Sequence, residues 1–232
     1  MERTMPLYGK GMLVTFTEVA SEHEEEFNEW YNREHVDERV FMPGFKRARR
    51  YLAADDRAKV KYFATYETET VRDLCAPEYM KLLGDQSPWS KKVMALFTHF
   101  DRLTVECTVD LTHGFTGAAG LARFFPADGR KADLRKALAE RILPEVIKRP
   151  GVLGACVLEN DLDVVAEGIK AQGKPVPADM KQEWLVILDT DTPGTAARAL
   201  EAAFGNDALL PHDLPTSAVE TSSYYMTFGN QR

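Results

Sequence analysis

MPGFKRARRYLA (residues 42–53) and RPGVLGACVLEN (residues 149–160) align without a gap, and each sets Pro-Gly in front of a strand-like run. Proline cannot continue a helix, and glycine accepts the positive φ that turns the chain out of one. The same elements precede both. GMLVTFTEV (11–19) reads as a strand and SEHEEEFNEWYNREHVDERVF (21–41) has helical spacing; GLARFFPA (120–127) and KADLRKALAERILPEVIK (131–148) repeat that order. The same elements also come after. YFATYETE (62–69) aligns with WLVILDTD (184–191), each is succeeded by a second helical region, and each half closes on a further strand, 96–109 and 217–229.

Written twice, β-α-β-β-α-β is the ferredoxin-like split unit, a four-stranded antiparallel sheet with both helices on one face. The bare face needs a partner. The expected fold is therefore α+β, with two tandem ferredoxin-like units whose antiparallel sheets pack face to face as an α/β barrel. The units span residues 1–109 and 110–232, and the second carries an insertion near 161–180 whose Gly, Lys and Pro content suggests a protruding loop with room for a short helical turn. Ser21 and Glu24 have capping-box spacing and open the first helix, which runs to Phe41. Phe27, Trp30, Tyr31, Val40 and Phe41 form its sheet-facing side.

The chain has 232 residues, 44% hydrophobic and 28% charged, with a net charge of -7. That balance suits a globular protein and argues against a general nucleic-acid binder. Three scattered cysteines make no zinc spacing and fit a reducing compartment. The start of the chain lacks an apolar signal core and no apolar run reaches membrane-spanning length, so a cytoplasmic protein with no membrane partner is expected. Phosphate loops, dinucleotide fingerprints and nucleophile elbows are missing, and HEEE at 23–26 is not a zinc-binding HExxH.

The chemistry concentrates in the first helix. His35 lies one turn beyond Tyr31 and one turn before Arg39, at the edge of the buried face, where an imidazole can exchange protons near neutral pH. Glu34 and Arg39 are placed to tune it. A boundary histidine bonded to a carboxylate is the plainer alternative. Counting back from the second Pro-Gly, Ile142 takes the place of His35, so packing alone does not demand a histidine there. On the next two strands, Phe45, Arg47, Arg49 and Tyr51 share a face, as do Val60, Tyr62, Ala64 and Tyr66. Arginines facing a cavity suit a carboxylate or enolate, whereas arginines on an exposed face only keep an edge soluble. His99 is expected on a strand, His113 and His212 in loops.

The pattern F-x-x-W-Y-x-x-E-H ahead of an arginine-rich Pro-Gly-Phe strand (Phe27, Trp30, Tyr31, Glu34, His35, Pro43, Gly44, Phe45, Arg47 to Arg50) resembles the dimeric α/β-barrel superfamily, and particularly its EthD-like branch. The resemblance covers residues 10–100; the second half shares only the pattern of elements. It implies a small-molecule protein among isomerases, cyclases, dehydratases, cofactor-poor monooxygenases and haem proteins, and it makes His35 the natural functional residue. In most relatives two chains build the barrel, so a homodimer is one expectation and closure within this chain is the other.

Three functions are compatible with these residues. The first is a cofactor-free enzyme acting on a small cyclic or aromatic carbonyl compound. His35 is its acid/base with Tyr31 and Glu34, and Trp30, Arg39, Arg49, Tyr62, Tyr66 and His99 bind substrate; no metal is expected. The second is a haem protein of the doubled-barrel type, with His99, His113 or His212 as axial ligand. The third is a non-catalytic small-ligand binder.

Overall fold

In the computed structural model, which describes residues 7–171, 173–205, 210–211, 214 and 217–232, eight strands close into one antiparallel barrel. The elements are β1 (Gly11–Val19), helix α1 (21–40), β2 (Phe45–Ala53), β3 (Tyr62–Thr68), the short helices α2 (Pro77–Gly84) and α3 (Pro88–Met94), and β4 (Phe97–Asp110). Then come β5 (Ala118–Phe124), helix α4 (131–146), β6 (Val152–Asn160), α5 (Leu162–Ala171), β7 (Trp184–Thr190), α6 (Pro193–Phe204) and β8 (Glu220–Gln231). The order around the barrel is β1-β3-β2-β8-β5-β7-β6-β4. The first four strands thus run β4-β1-β3-β2 and the last four β8-β5-β7-β6, the same ferredoxin-like order twice. Two hydrogen-bonded seams, β2 with β8 and β4 with β6, join them. The chain closes the barrel by itself, and β8 is the strand that fills the gap between β2 and β5.

Strands covered on both faces produce three cores. The barrel interior packs Phe16, Tyr51, Phe63, Leu121, Leu185 and Ile187. Outside it, the first helical layer is aromatic, with Phe27, Trp30, Tyr31, Tyr62 and Tyr66. The second is aliphatic, with Leu134, Leu138, Ile142 and Leu143 under α4. Each such side chain withdrawn from water contributes about 1.5–3 kcal/mol.

The Pro-Gly turns act as expected. Gly44 and Gly151 have φ of 84° and 83°. A Cβ on Gly44 would meet the Asp73 carboxyl at 2.5 Å and one on Gly151 the Asp191 carboxyl at 2.6 Å, so both positions demand glycine twice over.

Four local expectations are corrected. Ser21 begins a 3-10 turn (Ser21–His23) and makes no side-chain cap; Ala20 precedes it. Helix α1 is also not uniformly α-helical. Tyr31–His35 form a π turn between α segments Glu24–Trp30 and Val36–Val40. A π turn holds one extra residue and rotates the rest of the helix about its axis. Val36 and Val40 therefore point inward and Phe41 is 61% exposed, where uninterrupted 3.6-residue spacing placed it on the sheet. In β2 the pairing with β3 slips between Phe45 and Arg47. The slip turns Phe45 toward Tyr79 of α2, with ring centres 5.1 Å apart, while Arg47, Arg49 and Tyr51 face the interior. Finally, the insertion forms helix α5, whose Val164 packs into the first half's core and whose Glu167 pairs with Arg72 at 2.8 Å.

Candidate functional site

The π turn decides which side chains leave α1 together. Trp30 and Tyr31 are neighbours in sequence, yet both are buried, 4.9 Å apart and edge to face. The His35 ring lies 4.2 Å from Trp30, 5.0 Å from Tyr31 and 6.2 Å from Tyr66 of β3. Its Nδ1 is buried and has no hydrogen-bond partner among the described residues. Burial, and after it the charges of Arg39 and Arg50, holds the imidazole well below its ordinary value of 6.5, so the ring is neutral at pH 7. Tyr66 is its near neighbour and is likewise buried. Its hydroxyl has Tyr31 as its polar neighbour, and burial, followed by Tyr31, pushes the phenol well above its ordinary value, so it is a donor and not a phenolate.

These groups line a narrow recess with a cavity volume of about 50 Å³ between α1, the α2–α3 pair and the outer surface of β1, β3 and β4. Leu13, Met94, Phe97 and Phe100 make it apolar. Its polar groups are His35, Tyr31, Tyr66, Tyr79, Gln86 and two arginines, Arg39 and Arg102. Arg39 is bonded to Glu38 at 3.1 Å and to Gln86 at 3.3 Å. Tyr31 shares a 3.4 Å hydrogen bond with Thr15 of β1, and the Arg50 guanidinium covers its other side, 4.0 Å from the ring centre. Arg50 is held in place by Asn28 and Asn32. The matching space under α4 is filled. Its π turn, Leu138–Ile142, places Ile142 where α1 has His35, and Ile142 is fully buried among leucines.

Of the residues expected at the site, Trp30, Tyr31, His35, Arg39 and Tyr66 meet at this recess. Four others lie elsewhere. Glu34 accepts from Ser87 and Ser90, and Ser90 in turn accepts from Trp30 Nε1 at 3.1 Å. Its carboxylate thereby ties α1 to the first turn of α3. Tyr62 donates to Glu24 at 3.2 Å and packs on Phe27. Arg49 points into the barrel, where Asp189 lies at 2.6 Å and Glu67 at 3.7 Å, so protein carboxylates already occupy it. His99 is exposed beside Asp101, Arg123 and Glu183 at the barrel mouth. Sequence reasoning misses Arg102 and Gln86, and reads Tyr79, which also packs on Phe45, as a packing residue alone. Arg102 alternates with buried Leu103 and Val105, which reads as a solvent-facing position until the helices covering that face are known.

A haem needs a donor facing an apolar slot wide enough for a porphyrin. His35 faces an apolar recess that aromatic rings crowd, and His99, exposed at the wider recess of the barrel mouth, shares it with the charged Glu18, Asp101, Arg123 and Glu183. With a cavity volume of about 50 Å³ the recess at His35 is far too small for a porphyrin. His113 is exposed, and His212 lies outside the described residues. The residues present do not fit a haem. Among the described residues no group of His, Cys, Asp and Glu is placed to hold a metal ion, and no helix is long and apolar enough to cross a membrane.

No family model and no curated protein sequence matches the chain. Solved structures do. An anthrone oxidase-like protein is similar with a TM-score of 0.65 at 13% identity, covering 95% of this chain and 92% of that one. A candidate monooxygenase from Lactobacillus acidophilus NCFM has a TM-score of 0.59 at 9% identity and 96% coverage of both chains. A dye-decolorizing peroxidase from Bacteroides thetaiotaomicron VPI-5482 has a TM-score of 0.55 at 8% identity, covering 97% of this chain and 95% of that one. Identities this low speak to architecture alone, and the architecture is that of the ferredoxin-like α+β barrel proteins.

Proposed function

We propose that the chain is a cofactor-free enzyme that removes a proton beside the carbonyl of a small cyclic or aromatic compound, with His35 as the base. One observation carries this reading: a neutral histidine with an unpartnered, buried ring nitrogen faces an aromatic recess in the half where the other half has only Ile142. Proton abstraction beside a carbonyl needs a placed base and a donor for the oxygen that becomes negative. The imidazole takes the proton, the C–H electron pair moves into the enolate, and Tyr66 donates to the enolate oxygen. Tyr31 and Trp30 hold the ring of the base and wall the pocket, and Arg39 borders it. Glu34 acts at one remove, by fixing α3. The same first step serves isomerases, cyclases, dehydratases and cofactor-poor oxygenases. Membership in the EthD-like branch, on the α1 motif, and descent of the two halves from one repeated unit, on their shared strand order, belong to the same proposal.

The test is proton exchange with 2-tetralone in D₂O, monitored by NMR. The protein is expected to accelerate exchange of the α-protons, and His35→Ala to abolish the acceleration with its circular dichroism unchanged. Exchange that survives in His35→Ala sinks the reading.

A further inference from the structure

We infer that Arg102 is the anion-holding residue of this recess, so that the molecule bound there is planar, aromatic and carries a negatively charged oxygen. The inference rests on the recess being the functional site and names the class of ligand it takes.

Arg102 lies on β4 directly opposite Thr15 of β1, on the face that looks into the helical layer. Its Nε is buried without a partner among the described residues. Its side-chain hydrogen bond to the hydroxyl of Tyr79 is a long one, 3.4 Å, and the Tyr79 ring centre is 5.8 Å from the guanidinium. Arg49 also has an unpartnered buried Nε, but the guanidinium of each other buried arginine has a partner of its own. Arg49 has Asp189, Arg123 has Asp101 and Glu183, and Arg50 has two asparagines. Asp101, next to Arg102 in sequence, spends its carboxylate on Arg123.

No carboxylate lines the recess among the described residues, so two guanidiniums and a neutral imidazole leave it positive. Arg39 already has Glu38 and Gln86. Arg102 therefore holds the uncommitted charge. A half-buried cation with an unpaired donor favours an anion, and a guanidinium fork suits carboxylate, phenolate or enolate oxygen. The apolar walls fit a flat ring system attached to that oxygen.

Calorimetric binding of three probes tests this: 2-naphthoate, its uncharged isostere 2-naphthamide, and 2-naphthol. The wild-type protein is expected to bind 2-naphthoate about 10- to 100-fold tighter than 2-naphthamide, the range of a charge-assisted bond. Arg102→Gln should erase that preference, Arg102→Lys should keep part of it, and Arg39→Gln should keep most of it. Tighter 2-naphthol binding as pH rises through the ionisation of its hydroxyl assigns the phenolate form as well; a flat profile confines the class to carboxylates. Equal affinity for naphthoate and naphthamide, or a preference that survives in Arg102→Gln, overturns the inference and leaves the His35 reading standing. If no probe binds, the recess itself is refuted as a site. If Arg102→Gln does not fold, Arg102→Lys set against Arg39→Gln still decides: equal losses in the two refute a special role for Arg102.

Discussion

His35 and Ile142 each end a π turn and each precede Pro-Gly by the same spacing, so the two sites are a comparison built into one chain. The imidazole carries a thermodynamic cost that the isoleucine does not. In the folded protein it resists protonation, because burial and the charges of Arg39 and Arg50 disfavour the cation. In the unfolded chain it takes a proton near its ordinary 6.5. Below that pH the unfolded state binds more protons, so stability falls as pH drops from about 6.5 toward the depressed folded value. His35→Ile is expected to flatten this part of the melting temperature against pH profile; a profile unchanged from wild type would falsify the burial of a neutral His35. The residue's identity and its break with Ile142 were legible in the sequence. Its neutrality was not, because that depends first on burial against the folded sheet and then on Arg39 and Arg50, the latter reaching α1 from β2 only once the sheet forms. Arg102 was less legible still, since the helices that hide it come from residues 77–94.

Helix α1 shows why patterns locate elements better than they locate faces. Strand and helix order, the Pro-Gly stops and the arginine-rich β2 all come from turn chemistry and periodicity. The π turn and the β2 slip each add one residue to a regular pattern, and periodicity has no means of registering that addition. Both devices recur in the second half, at Leu138–Ile142 and between Val152 and Gly154, so they belong to the fold and not to the site. Deleting Arg33, which is solvent-exposed in the π turn, should remove the extra residue, turn that segment α-helical and leave Val36 and Val40 facing the sheet. Denaturant titration should then show little loss, whereas inserting an alanine after Arg33 should rotate both valines off the sheet and cost several kcal/mol, since each contributes about 1.5–3 kcal/mol by burial. The α3 end is a second element-scale test. Ser87 accepts from the Ser90 N–H at 2.9 Å and donates to Glu34. Ser87→Ala should cost about 1 kcal/mol as a lost cap. Glu34→Ala should cost about 1–3 kcal/mol and slow turnover only through the displaced wall, whereas His35→Ala removes turnover without loosening α3.

At the scale of the whole molecule, closure within one chain answers the question that a two-chain resemblance raised. The two halves meet along hydrogen-bonded seams and also through the interior, where Arg49 from the first half pairs with Asp189 from the second. Glu67 and Asp189 lie in the aligned β3 and β7 stretches, and both are almost fully buried. Removing one partner strands a charge. Asp189→Ala is expected to cost about 3–5 kcal/mol in chemical unfolding, and Arg49→Met combined with Asp189→Ala distinctly less than the two single costs added. Additive losses would mean that the pair does not join the halves energetically.

The position of β8 has a consequence during synthesis. It is the last barrel strand made, yet it sits between β2 and β5, so both of those edges stay open until residues 220–231 have emerged. An open edge invites pairing with other nascent chains. Strand β2 meets that hazard with Arg49, whose inward-pointing charge opposes intermolecular pairing until Asp189 of β7 neutralises it, whereas Arg47 already has Glu67 of the adjacent β3. Strand β5, AAGLARF, has only Arg123 for that purpose, so aggregation of incomplete chains should begin there.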